Sequence, residues 1–267
     1  MQKIGLIAGK GELPNYFIKQ AEKKGIEVFP IGFFDEINDE IKKHKNFIKV
    51  NIGELGKIIS YLIINKISKL MMIGKVEKNT IFQNIKFDET FSDLLSNLPD
   101  QKDETLLMGI IGILQKSGID ILPQNYMLDD LITEEKVYTN IDVDLSDIET
   151  VKVGIEGAKA LTSIDVGQTV VVKDKSVVTL EGIEGTDETI KRAYKYAGEG
   201  CIIVKLARPN QDLRADTPVI GLDTVKQAVE IKAKGIVIEA NKMLFFEQEE
   251  SIALANKNKL FIKAIKR

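Results

Sequence analysis

Short apolar runs alternate with helical patterns through the first half of the chain, and this alternation restricts the fold more than any other feature. It is typical of βα units that build a parallel sheet with helices on its faces. We therefore predict an α/β fold that begins with a Rossmann-like parallel sheet. The predicted strands are residues 4–8, 26–31, 47–51, 69–73 and 119–122, and the predicted helices are residues 14–24, 55–65 and 105–117.

A polar, acidic stretch follows the last of these strands and contains no long apolar stripe. Such a change of pattern is typical of a boundary between two hydrophobic cores. We predict an N-terminal domain over residues 1–130, a linker over 131–149 and a C-terminal α/β domain over 150–267. The second domain is distinct from the first, because it opens with a helix over 148–163 and a hairpin over 169–179.

Composition excludes several classes of protein. The chain has 267 residues, of which 44% are hydrophobic, so it can bury a substantial core. Its 37 basic and 40 acidic residues nearly cancel, and it has no tryptophan, so we expect no nucleic-acid partner. The single cysteine, Cys201, cannot form an intramolecular disulfide, which favours a reducing compartment. The single histidine, His44, cannot form a His-rich zinc site by itself. The longest apolar run, 106–114, is about half a membrane span, so we expect a cytoplasmic protein.

The first motif that suggests chemistry is a glycine loop between the first predicted strand and helix, containing Gly9 and Gly11. Glycines there let a backbone approach a phosphate or a sugar, and the helix N-terminus favours an anion. The dinucleotide fingerprint fails because Pro14 stands at the third glycine position, so NAD is not expected. A tight turn without a ligand remains the alternative at this position.

Two further motifs are each compatible with a site or with an ordinary surface. Lys75 follows a predicted strand end, where it points toward a ligand crevice or is simply a solvated lysine. Glu184 and Asp187 flank a glycine turn, and such carboxylates are suitable Mg²⁺ ligands. The alternative is that Thr186 or Asp187 caps the following helix.

The strongest motif is the loop after the predicted strand 201–206, because it holds two of the chain's four arginines, Arg208 and Arg214. Lys205, Asp212 and Asp216 stand in the same stretch, together with two prolines. Arginine and lysine suit a diphosphate, and either aspartate suits a divalent ion or a water. Surface ion pairs alone stabilise a loop by at most about 1 kcal/mol per pair, so we favour a functional interpretation over a solvated loop.

Together these residues resemble the UDP-2,3-diacylglucosamine pyrophosphohydrolase family of the LpxI type, enzymes of lipid A biosynthesis. The resemblance runs nearly from end to end of the chain. The segments that carry it are Gly5–Pro14, Ile73–Val76, Asp103–Leu107, Asp165–Val172, Glu184–Asp187 and Gln211–Gly221, with Lys205.

The resemblance implies a two-domain hydrolase that uses Mg²⁺ to convert the lipid nucleotide to UMP and 2,3-diacylglucosamine 1-phosphate. It implies that Asp216 is the most essential carboxylate and that Asp187 shares the metal with it. Lys205 and Arg214 are the implied phosphate contacts. The implied substrate contacts are Gly9, Gly11, Lys75, Thr186, Gln211 and Asp212.

The same basic groups also suit a binding protein that clamps a sugar nucleotide or a phospholipid headgroup without hydrolysing it. We keep this as the competing hypothesis, whereas a Rossmann oxidoreductase is disfavoured by Pro14. Expected partners are the lipid-nucleotide substrate, a transient contact with the inner-membrane surface and a second copy of the chain.

Overall fold

The computed structural model describes residues 2–33, 37–74, 86–100, 103–209, 211–214 and 216–267. The chain divides into two compact units. The N-terminal unit comprises residues 1–128 together with 212–216, and the C-terminal unit comprises residues 129–211 and 217–267. No helix among the described residues is both long and apolar enough to span a membrane.

A parallel five-stranded sheet forms the centre of the N-terminal unit, in the order β3-β2-β1-β4-β5. Both faces of the sheet are covered, so the central strand is apolar along its length and residues 4–8 are all buried. The strands are β1 (Lys3–Ala8), β2 (Glu27–Gly32), β3 (Ile48–Lys49), β4 (Lys69–Ile73) and β5 (Asp120–Ile121), and the described helices are α1 (Leu13–Lys23), α2 (Asp39–Lys42), α3 (Leu55–Ile64), α4 (Glu89–Ser96) and α5 (Asp103–Lys116).

The strand order reverses between β1 and β4, because the chain moves outward in one direction through β2 and β3 and then returns to the other side of β1. Open parallel sheets bind ligands in the crevice beyond the carboxyl ends of the strands at such a reversal. The glycine loop follows β1, so the fold places it at this position.

A mixed five-stranded sheet in the order β12-β10-β8-β6-β7 and a small β11-β9 sheet form the C-terminal unit. Strand β6 runs antiparallel to both of its neighbours, whereas β8, β10 and β12 are parallel. The strands are β6 (Thr169–Lys173), β7 (Ser176–Leu180), β8 (Ile202–Lys205), β9 (Val219–Ile220), β10 (Gly235–Glu239), β11 (Leu244–Phe245) and β12 (Phe261–Ile265), and the described helices are α6 (Ile148–Ser163), α7 (Gly185–Ala197), α8 (Leu222–Glu230) and α9 (Gln248–Lys257).

Helix α6 covers one face of this sheet at close range. A Cβ added to Gly154 would lie 2.5 Å from a methyl group of Val204 and 3.1 Å from one of Val172. The absence of a side chain at this position therefore lets the helix backbone approach the strands. The other face is covered by α7, α8 and α9, whose buried residues Ile190, Val225 and Ala255 share one core.

The predicted α/β fold class is confirmed, but two boundaries differ from the prediction. The expected linker over 131–149 is part of the C-terminal unit: Thr133 is fully buried and Tyr138 is 9% exposed. Thr133 is buried because it is hydrogen-bonded: its Oγ1 donates to the carbonyl of Glu239 at 2.8 Å. Residues 212–216, expected in the C-terminal domain, belong to the N-terminal unit.

Candidate functional site

The glycine loop of the N-terminal unit is joined directly to the end of β4. Gly9 N donates to the carbonyl of Ile73 at 2.7 Å. Gly74 has a φ of +102°, and a Cβ added there would lie 2.8 Å from Gly9 Cα. Gly11 also has a positive φ, +97°. Gly11 and Gly74 therefore adopt a backbone conformation that favours glycine, next to the strand-order reversal. Lys75 lies outside the described residues.

Residues 212–216 lie on this same unit beyond the neighbouring strand, β5. Gln124, three residues after β5, donates its backbone N–H to the carbonyl of Leu213 at 2.7 Å. Asp216 N donates to the carbonyl of Asp212 at 3.0 Å, which closes the segment into a turn. Asp216 is exposed at the end of this turn.

Arg214 and Asp212 form an ion pair within this turn. Arg214 Nη2 lies 2.6 Å from Asp212 Oδ2, and Arg214 Nε lies 3.0 Å from Oδ1. The hydrogen bonds from Arg214 lower the pKa of the Asp212 carboxyl, and those to Asp212 raise the pKa of the guanidinium. Asp212 thus orients the guanidinium, which was expected from sequence to face phosphate.

In the C-terminal unit, two of the predicted motifs meet at one edge of the mixed sheet. Because β6 is antiparallel to β8, its first residue, Thr169, pairs with the last residue of β8, Lys205. Thr169 Oγ1 lies 3.2 Å from Thr186 Oγ1, which also donates to Glu181 Oε1 at 3.1 Å. The Glu184–Asp187 segment and the start of the Lys205 loop are therefore connected through β6.

Hydrogen bonds also hold the loop that follows β8. Lys205 Nζ donates to the carbonyl of Val219 at 3.0 Å, which ties the two ends of the loop together. Arg208 N donates to Gln211 Oε1 at 3.1 Å, and Arg208 Nε lies 2.6 Å from Asp165 Oδ1. Gln211 and Lys205 thus fix the shape of the loop in the described structure.

Glu184 is the residue at the N-cap of α7, so the alternative in which Thr186 or Asp187 caps this helix is not observed. Its carboxylate accepts hydrogen bonds from backbone N–H groups and lies 2.5 Å from Arg192 Nη2, and together these interactions lower its pKa. Asp187 is half-buried in the first turn of the helix. Acidic side chains are favoured there by the helix dipole.

Asp187 and Asp216 are the two carboxylates that the resemblance implies as Mg²⁺ ligands. Within the described ranges, no three His, Cys, Asp or Glu side chains are grouped so as to hold a metal ion. Asp187 belongs to the C-terminal unit and Asp216 to the N-terminal unit. Mg²⁺ is commonly held by one or two carboxylates together with substrate phosphates, so carboxylates of this kind fit the ion.

Two residues at the sheet edge were missed by the sequence reasoning. Glu181 binds Thr186 and accepts a hydrogen bond from Gln168 N at 3.1 Å. Glu239 ends β10, where it is 4% exposed and accepts a hydrogen bond from Ala207 N at 3.0 Å. The available signal was a carboxylate at the end of the apolar run Gly235–Ile238, an unusual residue in a buried strand.

The fold and these loops define a two-unit α/β protein whose candidate ligand-binding residues follow the carboxyl ends of strands. Comparison with known families is more specific. The LpxI N-terminal domain model matches residues 3–131, and the LpxI C-terminal domain model matches residues 134–263. The chain therefore belongs to the LpxI family.

A curated relative shares nearly the whole length of the chain. It is a Caulobacter vibrioides protein named UDP-2,3-diacylglucosamine pyrophosphatase LpxI, 26% identical over 276 residues. The match covers 98% of this chain and 97% of the relative.

Two solved structures show only remote similarity. An N5-carboxyaminoimidazole synthase from Aspergillus clavatus has a TM-score of 0.23 at 13% identity, and the match covers 64% of this chain and 38% of that one. A protein described as CobK precorrin-6A reductase has a TM-score of 0.30 at 9% identity, with 100% of this chain and 90% of that one covered. Both TM-scores are too low to support an argument about fold or function.

Proposed function

We propose that this protein hydrolyses the diphosphate of UDP-2,3-diacylglucosamine to UMP and 2,3-diacylglucosamine 1-phosphate, a step of lipid A biosynthesis. Family membership and the full-length match to a protein named for this activity support the proposal. The structural observation that carries it is the loop after β8. Lys205 ends β8 directly before this loop, and the loop residues Arg214 and Asp216 belong to the unit that also holds the glycine loop.

The nucleotide half of the substrate suits the N-terminal unit. Gly9 and Gly11 present backbone without side chains at the β1–β4 reversal, where an anion or a ribose approaches closely. In this proposal Lys75, which lies outside the described residues, is a further substrate contact. Arg214, oriented by Asp212, contacts a phosphate with its remaining N–H groups.

The C-terminal unit contributes the other polar groups. Lys205 contacts the diphosphate from the carboxyl end of β8, and Thr186 and Gln211 contact the substrate nearby. Asp216 accepts a proton from the water that attacks phosphorus, because its carboxylate is exposed at a turn. As the new P–O bond forms, the bond to the bridging oxygen breaks and the two phosphomonoesters separate.

We propose Mg²⁺ as the cofactor, with Asp216 and Asp187 as its protein ligands. When bound, the ion supplies positive charge that stabilises the non-bridging oxygens of the diphosphate. The donor chemistry fits, because both residues offer hard carboxylate oxygens on loops or in a first helical turn.

Turnover of the lipid nucleotide by the purified protein tests this function. With Mg²⁺ and UDP-2,3-diacylglucosamine we expect UMP and 2,3-diacylglucosamine 1-phosphate in equal amounts, measured by mass spectrometry. Absence of UMP, under conditions where a known pyrophosphatase succeeds, would refute it. Tight binding without product would support the competing hypothesis of a binding protein that does not hydrolyse its ligand.

We further propose that the protein acts in the cytoplasm, that its substrate's acyl chains bring it transiently to the inner-membrane surface, and that it self-associates. Co-sedimentation with vesicles containing the lipid nucleotide tests the membrane contact. Sedimentation velocity without lipid tests self-association separately.

A further inference from the structure

A buried carboxylate stands at the point where the polar loop leaves β8. Glu239 is the last residue of β10 and is 4% exposed. Burying a carboxylate costs several kcal/mol unless it is paired and hydrogen-bonded. Its Oε2 accepts from Ala207 N at 3.0 Å, and its Oε1 lies 3.5 Å from Arg267 Nε.

The side chain of Glu239 forms a hydrogen bond between the end of β10 and the chain after β8, beyond the last backbone pair of these two strands. The last register pair of β8 and β10 is Lys205 with Ile238. Beyond this pair, Leu206 N donates to the carbonyl of Gln168 on one side. Ala207 N, the next donor, is held from the other side by the Glu239 carboxylate. The first two residues of the loop are therefore fixed by both neighbouring strands.

The backbone of Glu239 is held independently of its side chain. Its carbonyl accepts from Thr133 Oγ1 at 2.8 Å, and its N–H lies 3.4 Å from the sulfur of Met243. The next residue, Ala240, donates to the carbonyl of Ile265 at 2.8 Å. Removing the carboxylate should therefore leave the end of β10 in place and loosen the loop at Ala207, where the carboxylate holds the backbone N–H.

We propose that Glu239 is a positioning residue for the reaction, acting through Ala207 to fix the start of the loop that follows Lys205 and carries Arg208 and Gln211. The inference rests on the proposed function, because it assumes that this loop contacts the diphosphate. A displacement of about 1 Å in such a group costs about 100-fold in rate. The buried acceptor prevents that displacement.

The test compares variants of the full-length protein. Glu239→Met fills the volume of the side chain without an acceptor, and Glu239→Ala is a second variant in case the first does not fold. Glu239→Gln keeps an acceptor oxygen for Ala207. Arg267→Met is the matched control, because it removes the ion pair and leaves the Ala207 hydrogen bond intact.

Two readouts are needed. We expect Glu239→Met to lower kcat about 10- to 100-fold with KM changed less than about threefold, and Glu239→Gln and Arg267→Met to stay within about threefold of wild type. Hydrogen exchange of the peptide spanning 206–209 should accelerate at least about tenfold in Glu239→Met and Glu239→Ala, but not in Glu239→Gln or Arg267→Met. A tenfold change corresponds to about 1.4 kcal/mol, the scale of one hydrogen bond to a charged group.

The exchange measurement separates this proposal from the proposed function, because it requires no turnover. If the wild type produces no UMP, the function fails while accelerated exchange still shows that Glu239 fixes the loop. Unchanged exchange in Glu239→Met overturns the anchoring. Accelerated exchange with wild-type kcat overturns the positioning role.

Discussion

Asp212 binds the guanidinium of Arg214 with both carboxylate oxygens and accepts the backbone N–H of the same residue at 2.9 Å. Both side chains are about one-third exposed, at 31% and 30%. A pair in this environment contributes on the order of 1 kcal/mol, because solvent screens it. The main consequence of the pair is that it holds the Arg214 side chain in one orientation.

Replacing Asp212 by alanine should therefore lower kcat/KM about fivefold, the factor that corresponds to about 1 kcal/mol of lost orientation. Steady-state kinetics with the lipid nucleotide provide the measurement. Asp223→Ala is the matched control, because Asp223 forms an exposed ion pair with Lys226 on α8. Equal losses in the two variants would show that the effect is general electrostatics.

The same ion pair predicts a pH dependence of stability. The pKa of Asp212 is lowered in the folded state, chiefly by its hydrogen bonds with Arg214. Its contribution is therefore complete above the unfolded pKa, near 4, and is lost as pH falls through the lower folded pKa. The Tm difference between wild type and Asp212→Ala should be constant from about pH 5 to 7 and shrink below about pH 4. A difference that vanished between about pH 5 and 7 would contradict this assignment.

Asp216→Ala should abolish turnover while leaving substrate binding largely intact. Loss of a general base costs about 100- to 10,000-fold in kcat, and the exposed position of Asp216 predicts little effect on stability. Binding of the lipid nucleotide by calorimetry and turnover by UMP release separate the two effects. Asp223→Ala again serves as the control. A fully active Asp216→Ala enzyme would remove Asp216 from the mechanism.

Gly74→Ala should damage the glycine loop. Its φ of +102° and the 2.8 Å approach of the added Cβ to Gly9 predict a loss of about 1–3 kcal/mol in unfolding free energy. Gly112→Ala in α5 is the control, because its Cβ meets nothing within 4 Å and alanine favours a helix by about 0.5–1 kcal/mol. Urea unfolding of both variants measures the contrast. A Gly74→Ala protein as stable as the wild type would show that the backbone around Gly9 and Gly74 can rearrange at no cost.

Asp187→Asn should raise the Mg²⁺ concentration needed for half-maximal rate, by about tenfold if the carboxylate ligates the ion directly. The expected factor follows from the loss of one charged ligand, worth about 1.4 kcal/mol or more. Glu188→Gln, on the exposed side of the same helical turn, is the control. Chelation with EDTA should stop wild-type turnover, and excess Mg²⁺ should restore it. An unchanged Mg²⁺ dependence in Asp187→Asn would assign the metal elsewhere.

The sequence predicted most of the elements because their signals are local. A helix was predicted at residues 148–163 and a hairpin at 169–179, and the structure has α6 at Ile148–Ser163 and the strands Thr169–Lys173 and Ser176–Leu180. The helices α2 and α4 and the β9–β11 pair were not predicted. Helix α2 and the two strands have only two to four residues, which is too short to show periodicity. A long helix is recognised from its own apolar periodicity, and a hairpin from its own turn residues. Neither signal depends on residues elsewhere in the chain.

The site was predicted in composition but not in its connections. Nothing in the sequence indicates that Thr169 links Thr186 to Lys205. Thr169 contacts Thr186 and pairs with Lys205 only because β6 runs antiparallel to β8. Similarly, no local pattern shows that Arg214 is engaged by Asp212 rather than left open to a ligand. Such contacts are set by the register of the strands and by tertiary packing, which a single sequence does not encode in any short window.

The assignment of residues 212–216 to the N-terminal unit has a consequence for dissecting the protein. The chain leaves one unit and enters the other at three places, so no single cut separates the two units completely. A fragment ending at residue 131, where the N-terminal family match stops, lacks the partner that Gln124 holds. The complementary C-terminal fragment carries Arg214 and Asp216 but lacks the rest of the unit to which they belong. The two halves follow one another along the chain, but the N-terminal unit includes residues 212–216 from the second half. Activity should therefore return only when both fragments are supplied together.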